Sequence, residues 1–159
     1  MTQNNINLND KENIRSLYEK WIFAWNHQNA KSMSDLVSED GDIIGFDGSH
    51  MRGPNQVYDT ISQIFAAHPT GLYVSIVQEI KLLSETTAIL RAVVGMIPRG
   101  GSEINPAVNA IQSLIAVKKK EQWFIELFQN TPAAFHGRPE VAEQLTKDLR
   151  SALSEFNKN

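Results

Sequence analysis

The side chains in this chain whose types and spacing could do chemistry are few and scattered. Arg91 stands mid-strand between Ile89 and Val93, all on one face, where a charge is costly unless it is paired. It can bind an anionic or carbonyl oxygen, or it can pair with Glu79 across the neighbouring strand. Gln112 and Gln129 lie on strand faces that carry Leu114 and Leu127, and an amide among aliphatic side chains needs a partner. A polar spot shared by Arg91, Gln112 and Gln129 would satisfy all three. His68 ends a helical apolar stripe just before Pro69, where an imidazole can act as general acid or base or simply offset the helix dipole. Asp47 closes the segment DIIGFD and opens Asp47-Gly48-Ser49, a place where aspartate commonly caps a turn. Trp21, Trp25, Phe46 and Phe65 can stack on a ligand or fill a core.

Other chemistries are excluded by what the sequence lacks. There is no cysteine, which removes disulfides, thiolate nucleophiles and cysteine-held metals. The four histidines have no metal-ligand spacing, no glycine-rich phosphate loop appears, and no serine lies in a nucleophile elbow. No metal and no nucleotide cofactor is therefore expected. Fifteen basic against eighteen acidic side chains leave a net charge of −3 with no basic block, which argues against nucleic acid or a membrane surface as partner. The polar start MTQNNINLND has no signal-peptide core, and no apolar run approaches the roughly 18 residues of a membrane span, so a cytoplasmic protein is expected.

The elements that must position these residues follow from periodicity. With 159 residues the chain is one domain over 10–159, with 1–9 expected to be disordered or loosely attached. Asn9 can cap a helix whose buried stripe is Ile14, Leu17, Tyr18, Trp21, Ile22 and Trp25. A short helix over Lys31–Val37, a turn at Ser38–Gly41, and strands over Asp42–Asp47 and Ser49–Arg52 come next. Pro54 opens a third helix whose stripe is Val57, Tyr58, Ile61, Ile64, Phe65 and His68. The period then changes to two, and strands are expected over Leu72–Leu82, Thr86–Pro98, Ala107–Lys118 and Gln122–Thr131. Pro139 starts a last helix with Val141, Leu145, Leu149, Ala152, Leu153 and Phe156 inward. Helices first and long antiparallel strands later predict an α+β fold with helices packed on one face of a curved sheet. In the last strand strict alternation sets Trp123, Ile125, Leu127 and Gln129 against Phe124, Glu126, Phe128 and Asn130. Neither face is polar enough to be solvated, so one is expected to meet the last helix or a second subunit.

The helix with Trp21 and Trp25, the strand pair DIIGFDGSHMRG, the runs NPAVNAIQSLIAVKK (Asn105–Lys119) and ELFQNTPAAFHGRPE (Glu126–Glu140) together resemble the SgcJ/EcaC type of the SnoaL-like, nuclear-transport-factor-2-like (cystatin-like) superfamily. The resemblance spans nearly everything from Lys11 to Leu149. It implies a cone-shaped fold, with the N-terminal helices on the concave face of an antiparallel sheet; the doubly apolar strands, with Phe124 and Phe128 opposite Trp123 and Leu127, predict a homodimer through that sheet. The resemblance also implies a small, mostly apolar or polyketide-like molecule inside the cone, handled without a cofactor. The two readings are cofactor-independent acid–base catalysis and ligand binding or association without turnover. In a ketosteroid-isomerase branch of the superfamily a general base sits near the place of Asp47, which implies that role here, with His68 as a second acid–base candidate. That branch also carries a tyrosine oxyanion donor on the first helix, and the equivalent neighbourhood here holds Trp21, whose N–H donates but cannot accept a proton.

Overall fold

The structure, a computed structural model, describes the backbone of residues 3–157. Helix α1 covers Gln3–Asn26, α2 Ala30–Ser34, β1 Val37–Ile44, β2 His50–Arg52, α3 Gly53–Ala67, β3 Leu72–Leu82, β4 Thr87–Ile97, β5 Ala110–Lys119, β6 Gln122–Pro132 and α4 Pro139–Asn157. The six strands form one curved, unclosed sheet in the order β2-β1-β6-β5-β4-β3. Every neighbouring pair is antiparallel except β1 with β6, which is parallel, so the sheet is mixed rather than wholly antiparallel. No helix among the described residues is long and apolar enough to cross a membrane.

Several boundaries differ from the sequence reading, among them α2, which ends at Ser34 rather than Val37, and β5, which begins at Ala110 rather than Ala107; three others have a clear local reason. Helix α1 already runs from Gln3, because no glycine or proline interrupts residues 3–26; residues 3–9, expected to be loose, are its first turns. The expected turn at Ser38–Gly41 is strand instead. There β1 takes up a register shift against β6, and Gly41 is the residue that permits it: a Cβ at Gly41 would lie 2.6 Å from the Ile125 carbonyl oxygen. The strand then ends at Ile44, which leaves Phe46 and Asp47 in the turn that leads to β2.

Helices α1, α2 and α3 pack on the concave face, and α4 packs on the convex face over β3 and β4. Small side chains decide what the concave face can hold. Ala88, Ala92 and Ala116 stand on β4 and β5 and leave depth for Tyr18 and Trp21 from α1, with the Trp21 ring 5.2 Å from that of Phe128. At the opposite end of the sheet the last turn of α1 is fastened to the edge strand. Asn26 accepts from the Tyr73 N–H at 2.8 Å and donates to the Tyr73 carbonyl at 3.1 Å, taking the place of a neighbouring strand. The Trp25 indole donates to the Gly71 carbonyl at 3.0 Å, and Arg99 donates to the Thr70 and Asn26 carbonyls. The Phe156 side chain of the expected α4 stripe lies outside the described residues.

Candidate functional site

Strand β6 carries the feature that sets the interior of the cone. Its pairing with β5 slips between Ile115 and Ala116, so that Ala116 faces Ile125 while Ile115 faces Leu127, and Glu126 is the extra residue of a bulge. Beyond it the alternation changes phase. Phe128 and Asn130 turn into the cone, while Gln129 is exposed on the convex side. The expected partnership of Gln112 with Gln129 is corrected by that one-residue slip, and Asn130 takes the place of Gln129 directly opposite Gln112.

A buried polar network results. The Tyr18 hydroxyl donates to Gln112 Oε1 at 2.6 Å, Gln112 Nε2 stands 3.5 Å from Asn130 Oδ1, and Asn130 Nδ2 donates to the Tyr73 hydroxyl at 3.1 Å. Gln112 is only 1% exposed. Burial pushes both phenols above their ordinary range, most strongly Tyr18, where hydrogen bonding from the Ser75 hydroxyl offsets only part of the effect. The sign for stability follows. A phenol that stays neutral in the folded state stabilises the fold fully below the ordinary tyrosine value of 10.0, and that contribution is lost as pH rises past it. Tyrosinate absorbance from Tyr18 and Tyr73 is therefore expected to appear together with loss of far-ultraviolet circular dichroism in an alkaline titration. Ionisation of all three tyrosines in a chain that stays folded would contradict it.

One member of this network, Tyr73, also walls a cavity. Tyr73 and Ser75, together with α1 and the end of α4, enclose a pocket of about 870 Å³ where the edge of β3 emerges from between the two helices. Phe23 and Ile22 of α1 face Ala152 and Leu153 of α4 across it. Phe23 is exposed and stacks on His27, with ring centroids 3.9 Å apart. The volume is within the range of small-molecule sites, roughly 300–1,000 Å³.

Most of the residues expected from the sequence lie elsewhere. Asp47 is exposed, and its Oδ1 accepts from the Ser49 N–H at 2.9 Å, which holds the carboxyl below its usual range. Gly48, at φ 91°, completes that turn, so Asp47 caps it outside the cone and does not enter it as a base. Arg91 is corrected too: it is exposed on the convex face, 3.5 Å from Glu79, the pairing weighed as its alternative. His68 is the exposed C-cap of α3, where its N–H bonds the Ile64 carbonyl. Phe46 is 37% exposed in the β1–β2 turn. Trp25 and Phe65 pack edge-on beside Tyr73, and Trp21 is buried against Phe128, all as parts of the concave core. Of the expected polar trio only Gln112 lies in the cone. Tyr18, Tyr73, Ser75 and Asn130 were not singled out. The signal that could have found Asn130 is the three-residue step from Ile125 to Phe128, which breaks a period of two.

Among the described residues no group of histidine, aspartate and glutamate side chains could hold a metal ion. None of the curated proteins compared with the chain matches it. Solved structures do. A cystatin-like-fold domain of unknown function from Nostoc punctiforme is 19% identical with a TM-score of 0.77, and the match covers 100% of both chains. A putative scytalone dehydratase from Novosphingobium aromaticivorans is 17% identical with a TM-score of 0.70, over 82% of this chain and 89% of that one. A putative calcium/calmodulin-dependent protein kinase type II association domain from Thiobacillus denitrificans is 9% identical with a TM-score of 0.65, over 74% and 93%. Such identities establish the cystatin-like fold and nothing finer. The SnoaL-like domain matches residues 14–126, most of the sequence, and the chain belongs to the SnoaL-like domain family.

Proposed function

We propose that the protein binds a small, mostly apolar organic molecule in the pocket beside β3, without acid–base turnover, and that it does so as a homodimer. The observation that carries the reading is the double position of Tyr73. It walls the cavity together with Ser75, and its hydroxyl accepts from Asn130 in the buried network behind it. A ligand there meets apolar walls and polar groups whose orientation is already fixed, the combination that small-molecule sites share. The four linked side chains Tyr18, Gln112, Asn130 and Tyr73 are all neutral at physiological pH, so they suit holding a polar group more than removing a proton. A polyketide-like metabolite is the class that the sequence resemblance implies.

The test is titration with Nile red, a neutral apolar fluorophore. Wild-type protein is expected to bind it with a blue-shifted emission, and Ser75→Leu, which fills the cavity from its wall, to lose that signal while keeping its circular dichroism. Equal binding by both proteins, or none by the wild type, defeats the proposal.

Assembly rests on the convex face. Beyond α4 the register aligns Ile89, Ile115 and Leu127 in one row and Thr87, Val117 and Phe124 in the next, and these side chains are half-buried rather than exposed. A dimer covering them would bury on the order of 2,000 Å². Light scattering is expected to give twice the mass of one 17.8 kDa chain at micromolar concentration. A value of 17.8 kDa there would remove the dimer.

A further inference from the structure

The pocket has a charge and hydrogen-bonding character that narrows its ligand. Its ionisable lining is acidic, with a carboxylate on each of the two helices. The Glu19 carboxylate lies on its α1 side and makes no ion pair among the described residues. His27 places Nδ1 2.9 Å from the Phe23 carbonyl oxygen, which can only accept, so Nδ1 carries a hydrogen and the ring is held beside Phe23. Glu155 stands on the α4 side, engaged in an interaction of its own. Asn26, which could offer a donor, spends its amide on both backbone groups of Tyr73. The Gly101 N–H is held by the Pro98 carbonyl.

Cationic side chains that would welcome an anion are missing from the described walls, where Ser75, Ser102 and Asn157 are neutral. None of the described residues lining the pocket is lysine or arginine. Arg99, from the adjoining loop, directs Nε and Nη2 to the Thr70 and Asn26 carbonyls. The exposed Phe23 ring lies on the same helix face one turn after Glu19, and an aromatic ring favours a cation over an anion.

We propose that the ligand of this pocket is an apolar molecule bearing one cationic amine, with its hydrocarbon body between α1 and α4 and its ammonium against Glu19 and the neighbouring Phe23 ring. The inference rests on the pocket being a small-molecule site, the reading argued above. The ammonium pairs with the exposed Glu19 carboxylate, where the charge stays partly hydrated, and the alkyl portion replaces water along Ile22, Leu72 and Leu153.

Three probes with one chain length separate the two readings: decylammonium, decanol and decanoate, each below its micellar concentration, displacing Nile red from the full-length protein. Decylammonium is expected to bind about tenfold more tightly than decanoate, equivalent to about 1.4 kcal/mol, because the same carboxylate attracts one and repels the other. Decanol should fall between them. Glu19→Gln is expected to reduce the ratio to about threefold or less and to leave decanol unchanged. Glu12→Gln, an exposed substitution on the same helix outside the pocket, should leave the ratio intact. Equal binding of amine and carboxylate, a preference for decanoate, or the same loss of ratio in Glu12→Gln and Glu19→Gln overturns the amine assignment while decanol still reports a cavity. If none of the three displaces the dye and the dye itself does not bind, the cavity reading fails as well.

Discussion

Replacing Asp10 by alanine is expected to destabilise the protein by about 2–3 kcal/mol, the larger of the two effects argued here. Asp10 lies on α1 and is 5% exposed. Its Oδ1 accepts from the Trp123 indole at 3.2 Å and stands 3.0 Å from Lys118 Nζ. The ammonium in turn lies 5.3 Å from the centre of the Trp123 ring. These three residues fasten the helix to the β5–β6 hairpin. Removing the carboxylate strands an indole N–H and a lysine that is only 18% exposed, and breaking such a pair costs far more than the pair contributes over an apolar substitute. Some of the loss is recovered because a lysine can reach toward water along its aliphatic stem. In a chain of this length the melting temperature should fall by roughly 4–12 °C. Lys118→Met alone should also destabilise, since it leaves the carboxylate buried with one partner. The double variant should be more stable than the sum of the two losses by about 1 kcal/mol or more. Urea denaturation of the four proteins checks this; additive losses would show that the contact is incidental.

The second expected effect is at Gln112. Substitution by leucine keeps the volume but removes the acceptor of the Tyr18 hydroxyl and the group facing Asn130, at an expected cost of about 2 kcal/mol. Tyr18→Phe should cost about as much, because it leaves Gln112 Oε1 buried without its donor. The combination should be close to either single variant, since replacing both partners of a buried hydrogen bond by apolar groups of similar shape leaves neither unsatisfied. If Gln112→Leu unfolds at the same urea concentration as the wild type, the network contributes nothing to the fold.

Much of the architecture was legible because periodicity reports burial directly. The α1 stripe from Ile14 to Trp25 packs as its spacing requires, and the strands over 72–132 lie within a few residues of where alternation put them. The polar site was less legible, and the reason is local. Alternation carries a face assignment only as far as the next bulge. At Glu126 the extra residue inverted everything after it, sending Gln129 outward and bringing Asn130 in. The α4 helix was likewise expected, but its effect on β4 was not. Val93 looked like part of a costly apolar row around Arg91, whereas α4 covers Val93 and stops short of Arg91, which stays in water beside Glu79. Tyr18 was hidden in plain view, since a tyrosine on an apolar stripe reads as a ring to be buried and its hydroxyl goes unremarked.

The parallel pairing of β1 with β6 has a consequence for how the chain acquires its structure. Val37 finds Ile125, and Ile44 finds Gln129, so the N-terminal strand has only the three-residue β2 as a near partner until the last strand exists. On a ribosome, where synthesis proceeds at about 5–20 residues per second, α1 emerges with Trp21 and Tyr18 already exposed and nothing to cover them. The β3–β4–β5 meander, built from neighbouring segments, can form first; closing the sheet must then bring together segments far apart in the chain, the slow step for a topology of this kind. A chain released before Pro132 therefore lacks the strand that joins its two halves, and folding in this protein is completed from its C-terminal end.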